Sequence, residues 1–221
     1  MASREYAVAR PREAVLATNK VIRNTYILLS MTLLFSALTA GASIALRLGH
    51  GPALIMSFVA LGLLWFVLPR TANSAAGLGV VFAITGLLGA GLGPMLAYYL
   101  SMPNGSEIVM TAMGGTGVVF LGLSGYALGS RRDFSFMGGF LVVGLLVALV
   151  AVLANIFLQI PALALALDVV IIMIMSGYVL YYTSMMVHRG ETNYLVMTIG
   201  IYIAILNIFT SLLHLLGASN D

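Results

Sequence analysis

Chemistry in this chain of 221 residues must come from few side chains, because only 8% are charged and none is cysteine. One serine has the setting of a nucleophile: Gly122-Leu123-Ser124-Gly125 has the Gly-x-Ser-Gly form used by intramembrane serine proteases. Such a serine works only when a base on another helix lies within hydrogen-bond reach. The histidines are His50, His188 and His214. Ser124 lies near one end of its apolar stretch and His214 near the opposite end of another, so at ~1.5 Å rise per residue they differ by roughly 15–20 Å in depth. His188 is on the side of Ser124 but beyond its helix, at the water interface. No catalytic constellation is expected, and the chain does not read as an enzyme. His188 and Glu191 share a short connection without a third ligand, too little for a metal site. The lack of cysteine removes disulfides, thiol redox chemistry and thiolate metal sites. No cofactor is expected.

Ionisable groups inside a membrane are costly and mark sites. Asp168, Glu107 and His214 fall toward one end of their apolar stretches, and with Arg47, His50 and Asp221 they are expected to converge there. Such a cluster reads either as a network that satisfies itself or as an entry site for an ion or proton. Asn155 and Asn207 each donate and accept, and both read as interhelical hydrogen-bonding residues.

The elements that must position these groups are seven apolar stretches, near 25–46, 53–69, 75–100, 107–129, 136–159, 162–187 and 194–217. Each matches the ~20 residues that cross a ~30 Å hydrocarbon layer. The fold class is therefore an all-α membrane protein, with a tail and helix lead-in over 1–24, a bundle over 25–217 and a short end over 218–221. A composition of 61% hydrophobic residues and a mean hydropathy of +1.08 agree. Ala40-Gly41-Ala42 looks like a signal-peptide cleavage site, but the apolar segment before it exceeds a 7–15 residue h-region, so the first stretch reads as an uncleaved span.

Nine of the ten Lys and Arg residues fall on one side of a single in/out threading: Arg4, Arg10, Arg12, Lys20, Arg23, Arg70, Arg131, Arg132 and Arg189. Only Arg47 lies on the other. The bias predicts a cytoplasmic N-terminus and, after seven spans, a C-terminus across the membrane. The basic residues sit at helix ends, which marks topology and not a nucleic-acid patch. Trp65, Tyr181, Tyr182, Tyr194, Tyr98 and Tyr99 fall where interfacial belts form, although aromatic residues also fill bundle cores. Short connections predict that successive helices pack antiparallel. Thr85, Gly89 and Gly93 repeat every four residues, as do Gly125 and Gly129, and such faces let helix backbones approach. Thr32, Ser36, Thr39 and Ser43 form a polar stripe that reads as helix packing or as a hydrated path. Pro94 is expected to kink the third span.

Several motifs in order resemble the Bax inhibitor (TMBIM) family. They are Gly89-x-x-x-Gly93-Pro94, Arg132-Asp133-Phe134-Ser135-Phe136 before Gly138-Gly139, Asn155-Ile156-Phe157-Leu158-Gln159, Glu191-Thr192-Asn193-Tyr194 and Asn207-Ile208-Phe209. The opening Lys20-Val21-Ile22-Arg23-Asn24-Thr25-Tyr26 is similar to the bacterial YccA branch. The resemblance implies six helices around a central last helix, with Asn207 buried among them.

Some members of the family resemble pH-sensitive calcium leaks latched by two carboxylates that share a proton. The matching positions here are Tyr182 and Ala204, neither of which ionises near neutral pH, so the resemblance does not extend to that pair. The YccA branch instead resembles a modulator and substrate of FtsH, the membrane-anchored ATP-dependent protease of the bacterial inner membrane. The implied partner is an FtsH-type protease, with residues 1–18 as a flexible handle or as a topology signal; a calcium or proton leak is the alternative.

Overall fold

The computed structural model describes residues 5–130, 132–188 and 193–219, with side chains from residue 19 onward. Seven helices are long and apolar enough to cross a membrane. They are α1 (Glu5–Ala45, with the apolar part Asn19–Ala45), α2 (His50–Thr71), α3 (Ala76–Leu100), α4 (Gly105–Gly129), α5 (Ser135–Leu158, opening with a 3-10 turn), α6 (Pro161–His188) and α7 (Tyr194–Ala218). Among the described residues there is no strand. In hydrocarbon every backbone N–H and C=O needs a partner within the segment, so apolar stretches of this length become helices. The span ends match the apolar stretches to within three residues, except that the apolar part of α1 begins earlier, at Asn19.

Helix α1 runs unbroken through Ala40-Gly41-Ala42, with Ala40 buried. It also begins at Glu5, so the segment expected to be a flexible handle is helical from that point. Ala, Glu and Arg make up eight of the fourteen residues 5–18 and favour helix. In α2 a π-helical turn spans Leu63–Val67. Pro69 lacks an N–H, and the widened turn before it absorbs the missing bond.

The packing order departs from the chain order. Helix α3 packs on both α1 and α2, and α6 packs on both α4 and α5, whereas α1–α2 and α4–α5 are not among the main packed pairs. The expectation that each neighbour in sequence packs antiparallel fails for these two pairs. In each, a third helix with small residues on its face wedges between the first two. The result is two three-helix layers, α1–α3–α2 and α4–α6–α5, joined by α3 against α4 and α1 against α6.

Helix α7 lies between the layers and is the most buried, with 56% of its central window enclosed against 11–33% for the others. Four helices form its main packing, α1, α3, α4 and α6. The expected ring of six is thus a ring of four, with α2 and α5 outside. Lipid can solvate α2 and α5 on most of their surface, since both are strongly apolar and little buried.

The α1–α3 seam is where the small residues act. A Cβ on Gly89 would run into the Ser36 carbonyl and Thr39, and one on Gly93 into Ser43. Beside them Phe35 meets Phe82 edge-on at 5.5 Å. Gly125 and Gly129 have the same spacing, yet a Cβ on either would meet nothing within 4 Å. That pair faces outward and is not a packing seam. Pro94 sits buried inside α3, whose helix continues through it to Leu100.

Candidate functional site

Three polar regions are stacked along the bundle. The first lies at the end where Lys20, Arg23, Arg70 and Arg132 gather, here called the basic face. In the last turns of α6, Ser184 and His188 are four residues apart and so share one side of the helix. Ser184 Oγ donates to Asp133 Oδ1 at 3.2 Å, accepts from Phe134 N at 2.8 Å, and meets His188 Nδ1 at 3.3 Å. A hydroxyl has one donor and two acceptor sites, so this arrangement fills all three when Nδ1 carries the proton. Asp133 Oδ1 also accepts from Ser135 N at 2.8 Å and from the Ser135 hydroxyl, which sets the turn that opens α5.

Serine, histidine and aspartate are all present, but the carboxylate and the imidazole both address the serine. A hydrolytic triad needs the carboxylate behind the imidazole. Here Ser184 is fully buried and works as a clamp between the 130–134 connection and α6. The sequence flagged Asp133 and His188 but missed Ser184. Its signal was the i, i+4 spacing to His188 on a helix end.

A second clamp closes the same face. Asn193 caps α7, its Oδ1 accepting from Leu195 N and Val196 N at 3.1 and 3.2 Å. Its Nδ2 reaches Ala72 O at 3.2 Å and Asn73 Oδ1 at 2.9 Å, tying the α2–α3 connection to the central helix. Arg131, Arg189 and Glu191 lie outside the described residues, and with them the His188–Glu191 pairing.

The second region is at mid-bundle. Tyr202 is fully buried on α7, and its hydroxyl bonds Ser36 Oγ of α1 at 2.7 Å and the Thr85 carbonyl of α3 at 3.2 Å. Thr32 and Thr39 bond carbonyls within α1, and Ser43 is buried with no hydrogen-bond partner among the described residues. The stripe therefore packs against α3. The two positions singled out for absent carboxylates lie close by on α6 and α7. Tyr182 stacks on Tyr178 at 5.8 Å, and its ring blocks the space a Cβ on Gly200 would need. Ala204 is buried among Met175, Val179 and Ile208. Tyr182 and Tyr99 thus serve the core, while Trp65 and Tyr98 remain exposed as an interfacial belt requires.

The third region lies at the opposite face. His214 Nδ1 and Asp168 Oδ2 form a close pair between α7 and α6. Arg47 and His50 line a separate recess of about 380 Å³ with Ser43, Pro94 and Tyr98. Glu107 is exposed in the first turn of α4, where a carboxylate complements the helix dipole. Among the described residues no hydrogen bond or ion pair joins Arg47, His50 or Glu107 to the Asp168–His214 pair. The expected cluster is thus one pair and separate groups. Asp221 lies outside the described residues.

Neither asparagine bridges helices. Asn155 Oδ1 accepts from Ile160 N at 3.1 Å and closes the α5–α6 turn, where Gln159 is left-handed. Asn207 is half-buried and donates to Ile203 O of its own helix at 2.8 Å. A short side chain reaches the carbonyl four residues back more readily than a neighbouring helix. Ser124 is buried, and among the described residues its hydroxyl has no hydrogen-bond partner. Among the described residues no three His, Asp or Glu side chains cluster to hold a metal.

Fold and polar regions together define a multi-pass helical membrane protein built from two three-helix layers on a buried last helix. It belongs to the Bax inhibitor family: the family model described as inhibitor of apoptosis-promoting Bax1 matches residues 18–221. The chain is 50% identical over 211 residues to the Escherichia coli protein named modulator of FtsH protease YccA, covering 95% of each chain. It is 49% identical to a membrane protein of Vibrio cholerae, over 95% of this chain and 94% of that one. A Pseudomonas aeruginosa relative is 43% identical, over 96% of this chain and 93% of that one.

Proposed function

We propose that this protein is a non-enzymatic component of the bacterial inner membrane that binds an FtsH-type protease, modulates it, and is itself a substrate. The observation that carries this reading is the end-to-end identity to the Escherichia coli modulator of that protease. The site geometry is in keeping with it. The Ser184–His188–Asp133 grouping is wired as a clamp, and the positions matching the acid pair of the family's leaks carry Tyr182 and Ala204. A folded bundle held rigid by Asn193 and Ser184 at its basic face is slow to extract, and so occupies a processive protease.

In this reading the basic face is cytoplasmic, with the N-terminus inside and the C-terminus across the membrane. The protease then meets the N-terminal segment and the connections around Arg70 and Arg132. Affinity capture from detergent-solubilised membranes tests the interaction. An FtsH-type protease is expected among the captured proteins, and its absence at full recovery of the bait overturns the reading.

A further inference from the structure

Helices α1 and α4 both pack on α7 but are not among each other's main packing partners. Between them lies a cleft of about 460 Å³. Its lining runs along α1 from Leu33 to Ile44, a rise of about 16 Å. Volume over length, widened by the ~1.4 Å radius of a water on each side, gives a column roughly 9 Å across, wide enough for a hydrocarbon chain and narrower than the ~10–12 Å of a helix with its side chains.

The mouth is open toward lipid at Ala37, Gly41 and Met113, while the floor at Ala40, Thr116 and Tyr202 is buried. The hydroxyls that reach the cleft are already engaged, Thr116 with Ala112 O at 2.7 Å and Tyr202 with Ser36. Water would therefore find few partners there. Close packing disfavours leaving such a space empty.

The end of the cleft at Ile44 adjoins the recess that holds Arg47 and His50, because Ile44 lines both. Arg47 is exposed and makes no hydrogen bond or ion pair among the described residues. Its backbone is held at φ 50°, a left-handed conformation uncommon outside glycine. An apolar column ending beside an exposed guanidinium has the chemistry of a phospholipid, chain first and phosphate last. We propose that the α1–α4 cleft binds one acyl chain of an anionic phospholipid, from the leaflet opposite the basic face, with Arg47 and His50 holding its phosphate.

The test uses the full chain in nanodiscs of phosphatidylglycerol and phosphatidylethanolamine in equal amounts, with retained lipid read by native mass spectrometry after gentle extraction. Gly41→Leu and Gly117→Leu fill the cleft from its two walls, and a Cβ at either position meets nothing within 4 Å. Each is expected to cut lipid occupancy about tenfold. Gly122→Leu, equally unhindered and away from the cleft, leaves occupancy unchanged. Arg47→Gln keeps a bound lipid but loses the preference for phosphatidylglycerol. Lipid retained at the wild-type level in both filled variants overturns the acyl-chain site. An unchanged preference in Arg47→Gln overturns the phosphate assignment.

Discussion

Ser184 shows how little of a polar site lies in the residue itself. Its hydroxyl gains meaning from Asp133 and Phe134, which are distant in sequence, and from His188 on its own helix. Only the helical spacing of Ser184 and His188 could be read in advance. Replacing it with alanine leaves the part-buried Phe134 N–H without its acceptor, at a cost of about 1 kcal/mol. Ser184→Ala should therefore lower the unfolding midpoint in detergent, measured by circular dichroism. An unchanged midpoint would show that the clamp is not under tension from the fold. Tyr182 and Ala204, in contrast, were legible from sequence because the argument needed only their inability to ionise. The structure adds that both pack against the core. Reconstituted protein should show little calcium flux that changes between pH 6 and 8. A robust pH-gated leak would redirect attention to Asp168 and its partner His214.

At the scale of helices, hydropathy alone placed all seven spans, since a bilayer imposes length and apolarity on each segment independently. Packing partners were not legible in the same way. Gly89 with Gly93 and Gly125 with Gly129 have the same four-residue spacing, and only the neighbouring helix separates them. The first pair receives Ser36, Thr39 and Ser43 of α1, while the second faces open space. Leucine favours a helix over glycine by roughly 0.5–1 kcal/mol, so the two sites should respond with opposite sign. Gly89→Leu forces α1 and α3 apart and should cost about 1–3 kcal/mol or more. Gly125→Leu should be neutral or mildly stabilising. Unfolding in mixed micelles by denaturing detergent compares them directly. Equal behaviour would mean that the α1–α3 seam does not hold the layer together. The asparagines teach the same lesson: Asn155 and Asn207 were assigned to neighbouring helices, but each found a nearer partner in its own helix or turn.

Over the whole molecule the two layers are alike under one exchange. Pairing α1 with α4, α2 with α5 and α3 with α6 maps every main packing pair of helices onto another. Because successive spans alternate in direction, the two layers cross the membrane in opposite senses, as inverted repeats do. No sequence repeat announces this, since lipid-facing helices need only be apolar and their identities drift. The same alternation fixes the ends: with seven spans, reporter fusions should place the two termini on opposite sides, the N-terminus inside. Under the proposed function, the N-terminal segment is then the part of the chain that an ATP-driven protease meets on the basic side. Residues 1–18 reach at most ~60 Å when extended. Helix from Glu5 shortens that reach, but Pro11 removes one of its hydrogen bonds and so weakens it. Unwinding it demands little beside extracting a bundle whose other connections on that face are short and clamped. Deleting residues 2–12 should therefore slow degradation several-fold while the folded bundle still binds, converting a substrate into a longer-lived competitor. Pulse-chase turnover in cells that carry the protease measures this, with capture of the protease by the truncated chain as the binding readout. Turnover at the wild-type rate would move the point of engagement from the tail to the connections or the lipid-facing surface.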